Sequence, residues 1–227
     1  RRVLRRADRV VAVSRFVADI ARQTLCDVPM RVIYNGIDTE YFQPGNRVRQ
    51  ADEPFRLLYV GSWMTRKGVD LLAPIMRELG SEFELHFTGG SSAGRDFAGM
   101  PANMHDLGRL SGQQVITAMQ NADAFLLPSR SEGFGLVAAE AMACGLPVIA
   151  AMGTAVDEVV CPDKTGILCP RDDIHCFAAA ARSLASDHHL HEAMQREARG
   201  LARAQFSSAA MLSAYVRLYR TLLDKPA

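Results

Sequence analysis

The sequence predicts an α/β protein built on a doubly wound parallel sheet. Short apolar runs stop at Gly or Pro, and segments with helical apolar spacing lie between them. After Pro54, strand and helix alternate about six times over roughly 115 residues, the pattern of a parallel sheet with helices on both faces. The chain then finishes on helices alone.

The elements follow in order. Asp8–Ser14 reads as a short strand, and Phe16, Val17, Ile20 and Leu25 mark a helix over Arg15–Leu25. Arg31–Tyr34 is a brief extended run, stopped by the turn signal Asn35-Gly36. Glu40–Pro54 is polar, carries Pro44, Gly45 and Pro54, and reads as a linker. Phe55–Val60 is a doubly buried strand ended by Gly61. A helix is expected over Lys67–Leu79, with Pro74 kinking it or shifting its start. Phe83–Thr88 is a strand ending at Gly89-Gly90, 91–100 a loop, and Asn103–Leu107 a strand ended by Gly108. Ser111 with Gln114 forms a capping box for a helix to Asn121. Ala124–Leu127 is a strand closed by Pro128, and Phe134–Cys144 a helix stopped by Gly145. Pro147–Ala151 is a strand, Thr154–Val160 a short helix, and Ile167–Cys169 the last strand. Helices over Asp172–Ser186 and His189–Gln205 follow. The final helix, from Ser207, carries Met211, Leu212, Tyr215, Tyr219, Leu222 and Leu223 on one face.

Composition bounds the function. The 227 residues are 48% hydrophobic and 22% charged, enough for one substantial core and far from a disordered chain. A net charge of +1 leaves no nucleic-acid footprint. Arg1, Arg2, Arg5, Arg6 and Arg9 lack an apolar helical face, so they read as a solvated helix end or loop rather than a membrane patch. No run reaches membrane-span length, and Val10–Val13 is too short for a signal-peptide core. The first residues read as the middle of a longer, cytoplasmic protein. Cys26, Cys144, Cys161, Cys169 and Cys176 have neither zinc spacing nor an even count, and read as reduced thiols. His188, His189 and His191 read as a solvated helix face. No metal and no cofactor are expected.

Ligands of an open parallel sheet bind beyond the carboxyl ends of its strands. Three loops there stand out: Gly61–Gly68, Gly108–Ser111 and Pro128–Gly135. In the last, Glu132-Gly133-Phe134-Gly135 opens a helix, where glycines bare the first N–H groups and the dipole favours a diphosphate. Glu140 follows inside an otherwise apolar stretch, a costly place for a carboxylate unless it accepts good hydrogen bonds. Two readings stay open: a grip on the vicinal hydroxyls of a ribose, or a solvated or arginine-paired edge. Lys67 beside Arg66 can reach phosphate oxygens, although an exposed lysine at a helix start is common. The first loop is neither a Walker A nor a dinucleotide fingerprint.

The run from Glu132 through Gly133, Phe134, Gly135 and Glu140 to Ala141-Met142-Ala143-Cys144-Gly145-Leu146-Pro147-Val148 resembles the two-glutamate region of family 4 retaining glycosyltransferases, which have the GT-B fold. Val32–Asp38 with Phe42 and Pro44, Leu58–Gly61, Arg66-Lys67-Gly68, Leu107-Gly108, Asp157–Val160 and Thr165–Leu168 fall in the family's order. The resemblance implies that this chain is the C-terminal, Rossmann-like half of such a fold, with extra C-terminal helices. It implies 1–30 as a remnant of the N-terminal domain, 31–54 as the crossing, 55–206 as the nucleotide-sugar domain, and 207–227 as a helix returning to the missing domain.

Residue roles come with it. Glu132 would hold donor-sugar hydroxyls and Lys67 the diphosphate, the pair that the chemistry would rest on. Glu140 would bind the ribose. The amides of Gly133, Phe134, Gly135 and Leu136 would serve phosphates and sugar, and Gly108, Arg109 and Leu110 would lie near the base. Gly61 and Ser62 would border the donor. Ser62 stands where the family has arginine, which leaves Arg66 or Arg109 to replace that cation, and Thr154-Ala155 stands where it has Gly-Gly. The implied activity is hexosyl transfer from a nucleotide-diphosphate sugar to a glycan, lipid or small-molecule acceptor. Activity would need the N-terminal domain, and the full protein could associate peripherally with a membrane. The rival readings are a nucleotide-sugar-binding module without turnover and a related GT-B enzyme, either a sugar-nucleotide epimerase or a phosphorylase with a pyridoxal-phosphate lysine.

Overall fold

Six of the apolar runs assemble into one parallel sheet in the computed structural model, which describes residues 2–25, 27–50, 52–89 and 99–224. Cys26, Gly90 and most of the loop expected over 91–100 lie outside these residues. Ahead of the sheet come helix α1 (Arg2–Arg6), strand β1 (Val10–Ala12), helix α2 (Arg15–Thr24) and strand β2 (Met30–Val32). β1 and β2 pair in parallel as a separate two-stranded sheet.

The main sheet contains β3 (Phe55–Tyr59), β4 (Phe83–Phe87), β5 (Met104–Asp106), β6 (Ala124–Leu127), β7 (Val148–Ala151) and β8 (Gly166–Cys169). Their order is β5-β4-β3-β6-β7-β8, every pair parallel. After β3 the chain builds outward through β4 and β5, then returns to start β6 on the other side of β3. The carboxyl ends of β3 and β6 therefore flank the point where the strand order reverses, the ligand position of a doubly wound sheet.

Helices cover both faces. α3 (Val69–Leu79) buries Val69, Leu71, Leu72, Ile75, Met76 and Leu79 against one face, joined by α6 (Ile174–Ser186). Burying one such side chain contributes about 1.5–3 kcal/mol. α5 (Leu136–Ala143) and α7 (His188–Gln205) pack on the other face, α7 through Ala198 and Ala202, with Met119 of α4 (Gly112–Gln120) in the same core. The capping box of α4 is present, with Ser111 N donating to Gln114 Oε1 at 2.9 Å.

Three sequence expectations shift. α3 starts at Val69 rather than Lys67, because Gly68 at φ +72° breaks the helical run; Lys67 sits in a separate 3-10 turn, Thr65–Lys67, and Pro74 stays within the helix. α5 starts at Leu136 rather than Phe134, because Gly135 is left-handed at φ +91°. Glu40–Pro54, the expected linker, carries no helix or strand among its described residues and lies against the main body. Arg47 donates to the buried Asp123 carboxylate at 2.7 Å, and Arg199 donates to the Phe42 carbonyl at 2.7 Å. His191 is not a solvated face residue: its Nε2 lies 2.7 Å from the Asp123 carbonyl and its ring meets Phe55.

The last helix, α8 (Ser208–Leu223), also differs from expectation. Leu218 is the residue it buries, with Met211, Tyr215 and Leu222 partly covered. Leu212, Val216, Tyr219 and Leu223 form an exposed neighbouring stripe. The expected single face thus splits, because the helix meets the body along one edge only. A parallel bridge between Ile37 and Ser207 ties its start to the segment after β2. Cys144, Cys161, Cys169 and Cys176 are free thiols. Among the described residues no helix is long and apolar enough to cross a membrane.

Candidate functional site

The loops after β3 and β6 are stitched together by their backbones. Arg130 N donates to the Arg66 carbonyl at 2.9 Å, and Ser129 Oγ to the same oxygen at 3.4 Å. The Arg130 guanidinium reaches the Thr65 carbonyl at 2.6 Å, both oxygens of Asp70 at 2.7–2.8 Å, and Asp172 at 2.7 Å. That paired guanidinium holds the Asp70 carboxyl below its ordinary range. A side chain at Gly68 would put its Cβ 2.1 Å from the Pro128 carbonyl, so only glycine lets the two loops meet. Between these fixed points, Lys67 is aimed across the gap. Its Nζ donates to Glu132 Oε1 at 2.6 Å, and the two side chains are only 18% and 10% exposed.

Below Lys67, Tyr59 of β3 is fully buried and its hydroxyl donates to the Ser62 carbonyl at 3.0 Å, which shapes the Gly61-Ser62 turn. Burial first, then the nearby Glu132 carboxylate, raises the Tyr59 hydroxyl pKa. On the far side, Phe134 turns into the core and packs against Tyr34 and Phe206 at 5.9 and 5.6 Å between ring centres. With that side chain anchored, the backbone of Gly133–Leu136 faces outward. Among the described residues no intramolecular acceptor takes the N–H of Gly133, Phe134, Gly135 or Leu136. These free donors sit at the positive end of α5. Gly135→Ala is expected to cost about 1–2 kcal/mol from the left-handed backbone alone, read as a lower urea midpoint at unchanged slope.

Glu140 lies one turn into α5, on the same face as Leu136 and Val137. It is half-buried, and its carboxylate has no hydrogen-bond or ion-pair partner among the described residues. Burial pushes its pKa from 4.5 up to about 7. The reading of this residue as a solvated or arginine-paired edge therefore gives way to an unpaired carboxylate at a cavity wall.

That cavity has a volume of about 590 Å³. Gly61, Ser62, Lys67, Glu132, Gly133, Phe134, Gly135, Leu136 and Glu140 all line it. Of the residues singled out in the sequence, Arg66, Gly108, Arg109 and Leu110 do not. Arg66 and Arg109 expose their side chains, and Gly108 accepts a bond from Gly89 N at 3.0 Å beside the cavity's strand ends. A larger cleft of about 630 Å³ opens near Phe55 and Phe83, at the amino ends of β3 and β4. Parallel sheets bind ligands at the opposite ends, so the smaller cavity is the candidate site.

Val13 and Asn35, at the carboxyl ends of β1 and β2, also line the cavity, and sequence reasoning missed them. They arrive because α2 is docked onto the main body. Glu158 accepts from the N–H groups of Arg15 and Phe16 at 2.9 and 2.8 Å and from the Tyr34 hydroxyl at 3.0 Å. Ser14, the N-cap of α2, donates its hydroxyl to the Gly133 carbonyl at 2.8 Å. One sequence signal was available: Ser14 just before a helical run is an N-cap pattern. Nothing in the spacing links it to Gly133.

Residues 46–201 match the family model described as Glycosyl transferases group 1. The chain belongs to that family. Residues 1–41 match the model described as Glycosyltransferase Family 4. This glycosyltransferase-family chain is 31% identical over 170 residues to an uncharacterised glycosyltransferase of Methanocaldococcus jannaschii, covering 74% of the chain and 46% of that protein. It is 32% identical over 197 residues to glycogen synthase of Mycobacterium tuberculosis, covering 83% and 47%. Its fold matches sucrose-phosphate synthase of Thermosynechococcus elongatus with a TM-score of 0.86 at 28% identity, covering 98% of the chain and 60% of that structure. HepE of Anabaena, solved with UDP-glucose, matches with a TM-score of 0.84 at 19% identity, covering 97% and 66%. The glycosyltransferase sheet is Rossmann-like and its structural neighbours are GT-B enzymes. The chain spans less than half the length of these curated relatives.

Proposed function

We propose that this chain is the donor-binding unit of a retaining glycosyltransferase that moves a hexosyl group from a nucleotide-diphosphate sugar to an acceptor hydroxyl. The observation that carries the reading is the unpaired Glu140 carboxylate, sharing one cavity with the Lys67–Glu132 pair and the free amides that open α5. A carboxylate kept without a partner in a half-buried wall costs free energy until a ligand supplies donors. The vicinal hydroxyls of a ribose supply two. The amides of Gly133–Leu136 and Lys67 then meet the diphosphate, whose charge grows as the bond to the sugar breaks. Glu132, held by Lys67, accepts from donor-sugar hydroxyls. The acceptor oxygen bonds to the anomeric carbon on the face the diphosphate leaves, and its proton passes to a diphosphate oxygen.

Gly61 and Ser62 border the donor, and the segment Gly108–Leu110 lies toward the base, with Arg66 or Arg109 as the second cation in place of the family's arginine. No cofactor or metal takes part in this chemistry. The chain alone is expected to bind donor without turnover, since it spans less than half the length of the curated relatives it matches. A membrane-associated acceptor is compatible with this reading.

Thermal shift and calorimetry with UDP-, GDP- and ADP-sugars test it, UDP-glucose first. At least one is expected to raise the melting temperature and bind with one site per chain, and product analysis to find no transfer. A melting temperature unmoved by every nucleotide would remove the assignment, and an altered sugar in the mixture would favour an epimerase.

A further inference from the structure

Glu84 and His86 share one face of β4, opposite to the buried Phe83, Leu85 and Phe87. Parallel pairing sets His105 of the edge strand β5 directly beside His86. His86 Nε2 stands 3.5 Å from Glu84 Oε2, and His105 Nε2 stands 4.0 Å from Glu84 Oε1. One ligand atom from each of the three residues lies within 4.8 Å of the others. Donors bound to a tetrahedral zinc at about 2.0–2.1 Å are roughly 3.3 Å apart, so a bound ion would draw the three ligand atoms closer together. The side chains are 26%, 25% and 45% exposed, enough for a cation to enter and for water to fill the fourth position.

Among the described residues, Arg56 of β3 also neighbours the cluster. Its guanidinium stands 3.4–3.5 Å from Glu84 Oε2, long for a strong bond, while its Nη1 donates to the Asn121 carbonyl at 3.0 Å. The Glu84 carboxylate is therefore oriented by Arg56 without being used up by it. Two imidazoles and one carboxylate with ligand atoms this close together are a donor set suited to a borderline divalent transition metal.

We propose that Glu84, His86 and His105 bind one divalent cation of the zinc class, clamping the three-residue edge strand β5 onto β4. None of the three lines the nucleotide cavity, so the site stands apart from the glycosyl-transfer reading. A sequence scan weighs His188, His189 and His191 because they are adjacent, and passes over ligands that only strand pairing unites.

The test is calorimetry of the chelator-treated chain with ZnCl₂, followed by the visible spectrum with Co²⁺. One Zn²⁺ per chain is expected at micromolar affinity, with an intense low-symmetry Co²⁺ band. His105→Ala sits at an exposed edge where the fold, checked by circular dichroism, persists. That variant and Glu84→Gln are expected to bind Zn²⁺ about 100-fold more weakly, more than most outer-shell changes cost. Substituting His188 and His189 by alanine is expected to leave affinity unchanged. Failure of the wild-type chain to bind Zn²⁺, equal affinity in the two site variants, or loss on substituting His188 and His189 would overturn the proposal.

Discussion

Lys67→Ala is expected to lower stability by about 2–3 kcal/mol and to weaken nucleotide-sugar binding by about tenfold to 100-fold. Both effects come from one bond. Lys67 Nζ is 2.6 Å from Glu132 Oε1, and the carboxylate side is only 10% exposed. Removing the lysine leaves a nearly buried charge alone. Full burial would make that cost about 3–5 kcal/mol, and residual water contact reduces it. The binding loss arises separately, because the same ammonium is the cation nearest the proposed diphosphate.

A paired variant separates the two effects. Lys67→Met with Glu132→Gln removes both charges, so most of the stability is expected to return while affinity stays low. Chemical denaturation and calorimetry on the parent chain and the two variants read this directly. Donor binding in Lys67→Ala as tight as in the parent chain would defeat the diphosphate role, whatever the stability shows.

Glu140→Gln is expected to stabilise the chain by about 2–3 kcal/mol above pH 7 while weakening donor binding about tenfold or more. The sign follows from the two protonation equilibria. In the unfolded chain the group loses its proton near 4.5; in the folded chain burial holds the proton until about pH 7. Between those values the folded state carries the extra proton. The contribution of Glu140 to stability is therefore greatest below about 4.5, falls as pH rises, and reaches its lowest level above about 7. Glutamine abolishes this slope. Meanwhile donor affinity in the parent chain is expected to rise from about pH 6 to about pH 8, as the carboxylate that accepts the hydroxyls becomes ionised. Denaturation midpoints across that range and calorimetry at its ends check both halves. A glutamine variant no more stable than the parent at pH 8 would mean the carboxylate is well hydrated. Unchanged affinity would take Glu140 out of the ribose contact.

The opposite effects on stability and binding are the signature of a ligand group held at a cost. A residue kept for packing would lose stability when replaced. Lys67 and Glu132 differ from Glu140 in this respect, since each already satisfies the other in the free chain. The cavity thus combines one paired and one unpaired carboxylate, and the unpaired one is where a donor gains most.

The order of elements and the make-up of the Glu132–Glu140 segment were legible in the sequence, because both are local. Apolar runs of strand length, glycine stops and helical spacing act over a few residues. The Glu132–Glu140 segment carries its turn, its free amides and its carboxylate within one stretch of chain. Gly68 and Gly135 moved two helix starts, because spacing does not reveal a left-handed backbone. Only the tertiary structure decided what the side chains meet. The reversal of strand order at β3 and β6 brought Lys67 to Glu132, and Glu158 docked α2 so that Val13 and Asn35 reached the cavity. Strand pairing set His105 beside His86. Each of these contacts joins positions distant in the chain, where sequence periodicity has no term for distance or direction.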